Sequence, residues 1–526
     1  MKQLIALAAA ATGLIHSSAF GADLPITKAP AAIVAATWSG PYAGLGLGTH
    51  TTDVDGSVLS GTSNGANIIG CLGGCVSGVP FNGTAFRVSP YVGFNWQFAP
   101  NWVAGVEADF GWADRTVTRN GMLYPGGGSL IYLTGRGDDA FSVRTTWDAS
   151  VRGRLGLLVA PTVLLYATGG VAWQHVETTS TCGSVSCPAG GFAPGVIAHT
   201  RNPIGWTAGG GFETMLRGQW IARAEYRYAD FGTLTHTDTR TIPGVVQVSS
   251  YAVDLKTHTA TLGLAYKLGA TRNDARAAYA MAADTAPAAR QWSGFYLGAG
   301  LGALASDVKG SVLSGTNNGA PIVTPTCLGG CIADESLNGL AFRTSVYAGY
   351  NWQFAPLWLA GLEADAGWAD KETKLTGVLY PGGGNPFYLT GRPEDAFSIR
   401  TTWDASLRAR LGVLVEPDVL LYATGGAAWQ QFDTTSTCGP SFSCFDFRPR
   451  NITHGHVKTG WTAGGGFERM MWRNWIARGE YRYADFGTVT DTDTRAIPGV
   501  TQVATYSTAV KTHMATLGLA YRFNGR

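Results

Sequence analysis

Eight cysteines are the first residues of this sequence whose type and spacing could support chemistry. They form four local pairs, with three to five residues between the two thiols of each pair. Such pairs can bind zinc or form disulfides, but nearby histidines, which mixed zinc sites need, occur only as His454 and His456 after Cys444. We therefore predict disulfides and no metal site. The predicted disulfide cysteines are Cys71, Cys75, Cys182, Cys187, Cys327, Cys331, Cys438 and Cys444.

Histidines and aspartates in repeated motifs are the other candidates, as general acids and bases of a hydrolase. His258 and His513 each follow Lys-Thr, and Asp230 and Asp485 each lie in Ala-Asp-Phe-Gly. A catalytic set is defined by its geometry, and the spacing of these residues does not assemble one. The glycines of residues 44–48 begin a strand and precede no helix, so they form no phosphate loop. We predict a protein without catalytic residues and without a cofactor.

Charged side chains that alternate with apolar ones form the most extensive polar pattern. Between Phe141 and Val159 one set of alternate residues is mostly apolar, and the other carries arginine, aspartate, serine and glycine. A period of two is typical of a β-strand with two unlike faces. Buried charges need partners, so we predict an ion-pair network in the lumen of a barrel. Its predicted members are Glu107, Asp109, Arg144, Asp148, Arg152, Arg154, Glu213, Arg223, Glu225 and Arg227, then Glu363, Asp365, Arg400, Asp404, Arg408, Arg410, Glu468, Arg478, Glu480 and Arg482, with Arg87, Lys267, Arg343 and Arg522 also pointing inwards.

The elements that must position these charges are long strands. The second, fourth and sixth links between them are tight, whereas the other links are long and rich in Gly, Ser, Asn and Pro. This alternation, with aromatic residues near strand ends, is typical of an outer-membrane β-barrel and not of a soluble sandwich. We predict eight strands per unit, in the first unit at residues 41–54, 86–98, 101–118, 140–159, 163–181, 204–216, 220–239 and 250–268.

This set of strands occurs twice, because the chain is a tandem duplication. Of the 25 residues at 132–156, 20 are identical to those at 388–412. A lysine, a twelve-residue apolar run and small residues before Ala22 predict a secretory signal that is cleaved after export. The predicted parts of the chain are a signal peptide at 1–21, an N-terminal linker at 22–37, a first barrel at 38–268, a periplasmic linker at 269–290 and a second barrel at 291–526.

The composition excludes several classes of protein. Of 526 residues only 14% are charged, against about 25% in soluble domains, and the net charge is +2. A nucleic-acid-binding protein would be more basic, and the hydrophobic content of 45% excludes a disordered chain. Residues 155–173 carry no charge, but their copy has Glu416, Pro417 and Asp418 at its centre, so we predict no membrane-spanning helix.

Several short motifs, taken in their order along both units, resemble those of a known family. They are Asn95-Trp96-Gln97, Tyr166-Ala167-Thr168-Gly169-Gly170, Gly205-Trp206-Thr207 and Glu225-Tyr226-Arg227-Tyr228. With them, the chain is similar to the RopB-type outer-membrane immunogenic proteins of alphaproteobacteria. The resemblance implies OmpA-like, eight-stranded barrels with surface-exposed loops and no enzymatic activity. The sequence departs from the family in its duplication and in the three residues that follow Phe523.

Two architectures are compatible with sixteen strands: two tandem eight-stranded barrels or one 16-stranded barrel. We favour two barrels, because a linker of about 20 residues separates the units where one barrel would need a tight turn. The expected function, in the cell outer membrane, is structural and surface-exposed, antigenic or adhesive; the alternative is a diffusion porin for small solutes. The expected partners are outer-membrane lipid and lipopolysaccharide, the barrel-assembly machinery and a host or envelope surface ligand, with no nucleic acid.

Overall fold

The structure is a computed structural model that describes residues 37–67, 79–120, 140–182, 195–216, 219–269, 291–321, 335–376, 396–438, 450–471 and 474–523. The predicted signal peptide, nearly all of both predicted linkers and six of the eight cysteines lie outside these residues. The predicted disulfides therefore stay predictions; Cys182 and Cys438 each end a strand. Within the described ranges, no helix is both long and apolar enough to cross a membrane.

Twenty-one strands account for nearly all of the described chain. In the first unit they are β1 (Gly40–Ser63), β2 (Ala66–Asn67), β3 (Val79–Pro80), β4 (Gly83–Ala99), β5 (Trp102–Asn120), β6 (Ala140–Ala160), β7 (Val163–Cys182), β8 (Gly195–Arg201), β9 (Ile204–Met215), β10 (Trp220–Ile242) and β11 (Val245–Lys267). In the second unit they are β12 (Gly294–Asn317), β13 (Ala320–Pro321), β14 (Glu335–Ser336), β15 (Gly339–Gln353), β16 (Trp358–Thr376), β17 (Ala396–Glu416), β18 (Val419–Cys438), β19 (Arg450–Met470), β20 (Trp475–Ile497) and β21 (Val500–Arg522).

Each unit closes into its own antiparallel barrel. In the first barrel the wall runs β1-β4-β5-β6-β7-β9-β10-β11, and β11 pairs back onto β1 from Tyr42↔Lys267 to Ser63↔Gln247. In the second barrel β21 pairs back onto β12 from Tyr296↔Arg522. Because the last strand of each unit hydrogen-bonds to the first strand of the same unit, two tandem barrels are confirmed. The alternative of one 16-stranded barrel is wrong.

The strands extend further at one end of the barrel than the sequence predicts. The tight turns, such as the one between Ala160 and Val163, define the lower end, and the long links define the upper end. At the upper end β10 and β11 remain paired up to Ile242↔Val245. The predicted long seventh link is therefore wrong. The turn consists of Pro243 and Gly244, and Gly244 supplies the positive φ of 83°.

The outer wall carries an apolar band between two aromatic girdles. Val106 and Leu155 are exposed within the band. Trp96 packs against Phe98 in the lower girdle, with ring centroids 5.8 Å apart. Trp206 packs against Tyr228 in the upper girdle, at 5.2 Å. A tilted strand needs only about 10 residues to cross a bilayer, so strands of 23 residues extend beyond the membrane at the upper end.

The two barrels lie side by side, and we call their contact the inter-barrel interface. Near its middle the walls approach closely: a Cβ added to Gly479 would lie 2.9 Å from the Cβ of Ala224. The rings of Phe212 and Phe467, which are equivalent residues of the two copies, lie 5.2 Å apart. Small side chains at a contact allow this approach between membrane segments.

Polar contacts hold the interface at its upper and lower ends. At the upper end the buried Asn82 donates to the Asn338 carbonyl at 3.1 Å, and Asn338 donates back to the Asn82 carbonyl at 2.6 Å. At the lower end Arg469 pairs with Asp418 at 3.0 Å. Its guanidinium also donates to the hydroxyls of Thr214 and Thr162 in the first barrel, at 2.6 and 2.7 Å.

Candidate functional site

The middle of each lumen is filled by buried charged side chains. In the first barrel Glu107 accepts hydrogen bonds from Arg152 at 2.5 Å and from Arg223 at 2.6 Å. It also accepts hydrogen bonds from Arg154 at 3.3 Å and from the Tyr42 hydroxyl at 2.8 Å. All five side chains are buried, so each charge depends on these partners instead of on water.

A second group of charges lies directly above Glu107. Asp109 accepts hydrogen bonds from Arg87 at 2.6 Å and from Arg227 at 2.7 Å. Arg87 also binds Asp148 through two nitrogens, at 2.8 and 2.5 Å. These bidentate contacts fix the orientation of the guanidinium as well as its charge. Arg87, which the sequence places inward, is thus a central member of the luminal network.

Most of the remaining predicted charges join the network of their own lumen. In the first barrel Glu213 binds Arg154 at 2.8 Å, and Glu225 binds Arg152 at 3.0 Å. The second barrel repeats the arrangement with Arg343 on Asp365 (2.8 Å) and Asp404 (2.5 Å), Arg482 on Asp365 (2.7 Å), Arg408 on Glu363 and Glu480 (3.0 Å), Arg410 on Glu468 (2.9 Å), and Arg478 on Glu363.

Four residues predicted to be inward lie outside the charged middle of the lumen. Arg144 and Arg400 lie on the outer surface, where they pair with Asp114 and Asp370 at 2.7 and 2.6 Å. The prediction for them is wrong because β6 and β17 each contain a β-bulge, which reverses the alternation of faces above it. Lys267 and Arg522 are buried at the lower rim, where Lys267 donates to the Thr37 carbonyl and Arg522 donates to Asn474.

Aromatic residues that the sequence did not place in the lumen complete its lower part. The guanidinium carbon of Arg154 lies 4.1 Å from the ring centroid of Tyr166, and that of Arg223 lies 3.6 Å from Tyr91. Below them Trp38 is 2% exposed and donates from its indole to the Pro161 carbonyl at 3.1 Å. Tyr91 shares the parity of Arg87 along β4, which is the signal that could have placed it inside.

The upper part of the lumen is an apolar core. Phe81, Phe141 and Tyr251 pack ring against ring, with centroids 5.4 and 5.5 Å apart. Val253 and Leu255 of β11 are fully buried in the same cluster. The lumen therefore contains three layers: aromatic at the lower mouth, charged in the middle and apolar at the top.

The repeated histidine and aspartate motifs form contacts within the barrel wall. Asp230 accepts the N–H of Gly232 at 2.9 Å, and Gly232 has a φ of 68°, so Ala-Asp-Phe-Gly forms a β-bulge in β10. The same contact recurs between Asp485 and Gly487. His258 bonds the Tyr226 hydroxyl at 2.7 Å, and His513 bonds that of Tyr481 at 2.8 Å, both on the outer wall.

Further histidines bridge strands near the upper rim. His199 of β8 bonds Asp238 of β10 at 2.6 Å and stacks on His236 at 5.0 Å. Burial, together with the nearby His199 and Arg201, lowers the pKa of His236. In the second barrel His454 bonds Asp493 at 2.6 Å, and His456 pairs with Asp491. Among the described residues, no three His, Cys, Asp or Glu side chains are placed to hold a metal ion.

Comparison with known proteins identifies relatives of this chain. The 31 kDa outer-membrane immunogenic protein of Brucella melitensis is 27% identical over 285 residues, which cover 51% of this chain and all of that protein. A 22 kDa outer membrane protein of Rhizobium leguminosarum is 28% identical, over 27% of this chain and 50% of its own length. The crystal structure of Ail from Yersinia pestis aligns with 44% of this chain and 99% of its own, at 16% identity and a TM-score of 0.20.

The sequence pattern of the outer membrane protein beta-barrel domain matches this chain twice, at residues 7–267 and 275–523. Together the two matches include nearly the whole chain, and they agree with the two closed barrels of the structure. The resemblance to alphaproteobacterial outer-membrane proteins is thereby confirmed, as is the outer membrane as the location. This chain belongs to the outer membrane protein beta-barrel domain family and carries two copies of that domain in tandem.

Proposed function

We propose that this protein is a non-conducting surface protein, whose paired barrels anchor a tall, ordered wall and its loops outside the cell. The observation that carries the proposal is the filled lumen. Trp38 covers the lower mouth, Glu107 and its arginines fill the middle, and Phe81 and Phe141 fill the top. A solute that crossed the barrel would have to displace all three layers.

The competing function is that of a diffusion porin, and the charged layer argues against it. Opening a passage beside Glu107 would separate arginines from carboxylates that lie at 2.5–3.3 Å. Removing one partner of a buried ion pair costs about 3–5 kcal/mol, and several pairs would separate together. Eight-stranded barrels have interiors just wide enough for side chains to fill.

The strands that extend above the upper girdle support a role in surface presentation. β10 and β11 continue as a paired, twisted ladder to Ile242↔Val245, and a packed apolar core supports them from inside. Rigid strands of this kind present connecting loops in fixed positions. The Brucella relative is named as immunogenic, which favours an antigenic role here as well. A host or envelope ligand of the loops, and folding by the barrel-assembly machinery, are parts of this proposal.

Conductance measurement tests the closed lumen. The full chain is refolded into liposomes, its insertion is checked by protease protection, and the liposomes are fused to a planar bilayer. We expect no discrete conductance steps above those of protein-free liposomes, because buried side chains occupy all three layers of the described lumen. Large, reproducible open-state steps from protein of verified insertion would establish the porin alternative and overturn the proposal.

The proposal also assigns no catalysis to this chain. His258 and His513 are the candidates to test, because each bonds a tyrosine hydroxyl on the outer wall. We expect purified protein to hydrolyse neither phospholipid nor peptide substrates. A turnover that disappears in His258→Ala or His513→Ala, with folding unchanged, would assign an enzymatic role instead.

A further inference from the structure

The inter-barrel interface contains a cavity that the lumen and the loops do not explain. Its volume is about 450 Å³, which is within the range of about 300–1,000 Å³ typical of ligand sites. Outward-facing residues of both barrels line it, among them Leu47, Tyr226 and Leu262 of the first barrel and Leu301, Leu340 and Leu517 of the second. The small side chains around it, such as Ala260 and Ala303, leave the space between the walls open.

The register of the strands gives the depth of this cavity in the membrane. His258, which lines it, is paired with Tyr228 of the upper aromatic girdle. Ala224 and Tyr226 of β10, which also line the cavity, lie between that girdle and the middle of the apolar band. The cavity therefore lies in the half of the membrane nearer the long loops, which is the outer leaflet.

The walls of the cavity determine which ligand it suits. Most lining side chains are leucine, alanine or aromatic, so the cavity offers hydrocarbon contacts along its length. Leu47, Leu301 and Phe342 line it and are exposed to the surrounding bilayer, so the cavity opens sideways into lipid. At this depth the molecules that can enter from the side are membrane lipids.

The upper edge of the cavity is charged. Arg115 of the first barrel pairs with Asp307 of the second at 3.3 Å. Asp53 of the first barrel lines the cavity itself, so acidic side chains accompany the basic ones at this edge. Charges of both signs therefore mark the polar end of the cavity, and the apolar walls below them select the ligand.

We propose that the inter-barrel cavity binds one acyl chain of lipopolysaccharide. The chain fills the space between the two walls from the outer leaflet. Lipopolysaccharide is chosen over phospholipid because it occupies the outer leaflet, into which the cavity opens. The inference does not depend on the lumen being closed, so it and the proposed function are tested separately.

Lipid retention by the full chain tests the site. Delipidated protein is incubated with purified lipopolysaccharide or with phosphatidylethanolamine–phosphatidylglycerol vesicles, and native mass spectrometry measures the lipid retained. Leu301→Trp fills the cavity from the second barrel, and Leu47→Trp fills it from the first. Leu155→Trp is the matched control, because Leu155 is a lipid-facing leucine of similar exposure that does not line the cavity. The heat-dependent gel shift of folded barrels confirms that each variant is folded.

We expect the wild-type protein and Leu155→Trp to retain one lipopolysaccharide per chain. Either cavity variant should lower the retained fraction about tenfold at equal lipid concentration, a change of about 1.4 kcal/mol in binding. No retention by the wild-type protein, or equal retention by Leu301→Trp and Leu155→Trp, would overturn the site. Retention of phospholipid in preference to lipopolysaccharide would overturn the choice of ligand.

Discussion

Arg152 and Arg144 lie on the same strand, β6, yet their surroundings differ completely. Arg152 is 1% exposed and binds two glutamates inside the lumen, whereas Arg144 lies on the outer surface beside Asp114. Removing one partner of a buried pair leaves an uncompensated charge, whereas a solvated pair contributes little. The two residues therefore form a matched test of what the luminal network contributes to stability.

We predict that Arg152→Ala lowers the free energy of unfolding by about 3–5 kcal/mol, because Glu107 and Glu225 lose a buried partner. Arg144→Ala should leave it unchanged within error, because its partners Asp114 and Glu177 lie at the surface, where water solvates their carboxylates. Urea unfolding in lipid vesicles, followed by tryptophan fluorescence, measures both. Equal effects of the two substitutions would show that burial does not determine how much these arginines contribute to the free energy of unfolding.

At the residue scale, the period of two placed most of the luminal charges correctly in sequence. Glu107, Asp109 and Arg223 face inward because each alternates with apolar residues that prefer lipid. The same reasoning failed at Arg144, because a bulge adds one residue to β6 without a distinctive sequence signal. Trp38 was also missed, since it precedes the first strand and the periodicity of the strands does not extend to it.

Within a single strand, the bulge at Ala-Asp-Phe-Gly depends on one glycine. Gly232 has a φ of 68°, and a Cβ added there would meet no atom within 4 Å. Any cost of a larger residue at this position therefore comes from the backbone and not from a steric clash. The bulge interrupts the pairing of β10 with β11 between Asp230 and Thr233, where the wall leaves the upper girdle.

We predict that Gly232→Val destabilises the protein by about 1–3 kcal/mol, the cost of holding a side-chain-bearing residue in a strained backbone region. Gly153→Val is the control, because the nearest atom to its added Cβ is 3.9 Å away and its φ is not positive. Denaturant midpoints of the two variants provide the comparison. The bulge would not require glycine if both variants unfolded at the same denaturant concentration.

The strand ends show how much of each element the sequence could predict. The lower ends were placed to within one or two residues, because Pro161 and the short polar links interrupt the strands there. The upper end of β10 was placed three residues too early. Its last residues are threonine, arginine and isoleucine, which occur in loops and in strands alike, so only the pairing with β11 shows that the wall continues.

At the scale of the whole molecule, the pairing of the barrels is the feature that the sequence did not reveal. Alanine and glycine on an outer face suit lipid as well as a neighbouring wall, so Ala224 and Gly479 carry no sign of their contact. The reciprocal bonds between Asn82 and Asn338 depend on the position of one barrel against the other. Duplication alone indicates two barrels and leaves their arrangement open.

We predict that the double variant Ala224→Cys with Gly479→Cys forms a disulfide between the barrels. The two Cβ atoms lie about 2.9 Å apart, and a small separation of the walls brings them to the distance of about 3.5–4.5 Å that a disulfide needs. A protease site introduced between residues 270 and 290 then allows the halves to be separated on a non-reducing gel. We expect the halves to stay joined until a reductant is added.

The control pairs Ala224→Cys with Leu407→Cys, a position exposed on the outer face of the second barrel. This pair should leave the cleaved halves separate. If the halves of the Ala224→Cys, Gly479→Cys protein also separated without reductant, the barrels would not be in contact in the membrane, and the cavity between them would not exist as described.

The contacts of Arg469 across the inter-barrel interface are asymmetric, and this asymmetry bears on how the two copies evolved. Its counterpart in the first copy is Thr214, and the counterpart of its partner Asp418 is Thr162, so the ionic residues stand on one side of the interface and their neutral acceptors on the other. Two identical barrels could not divide these roles, since an arginine would then face an arginine across a symmetric contact. Fusion into one gene allowed the halves to diverge into complementary subunits, of which only the second carries the arginine.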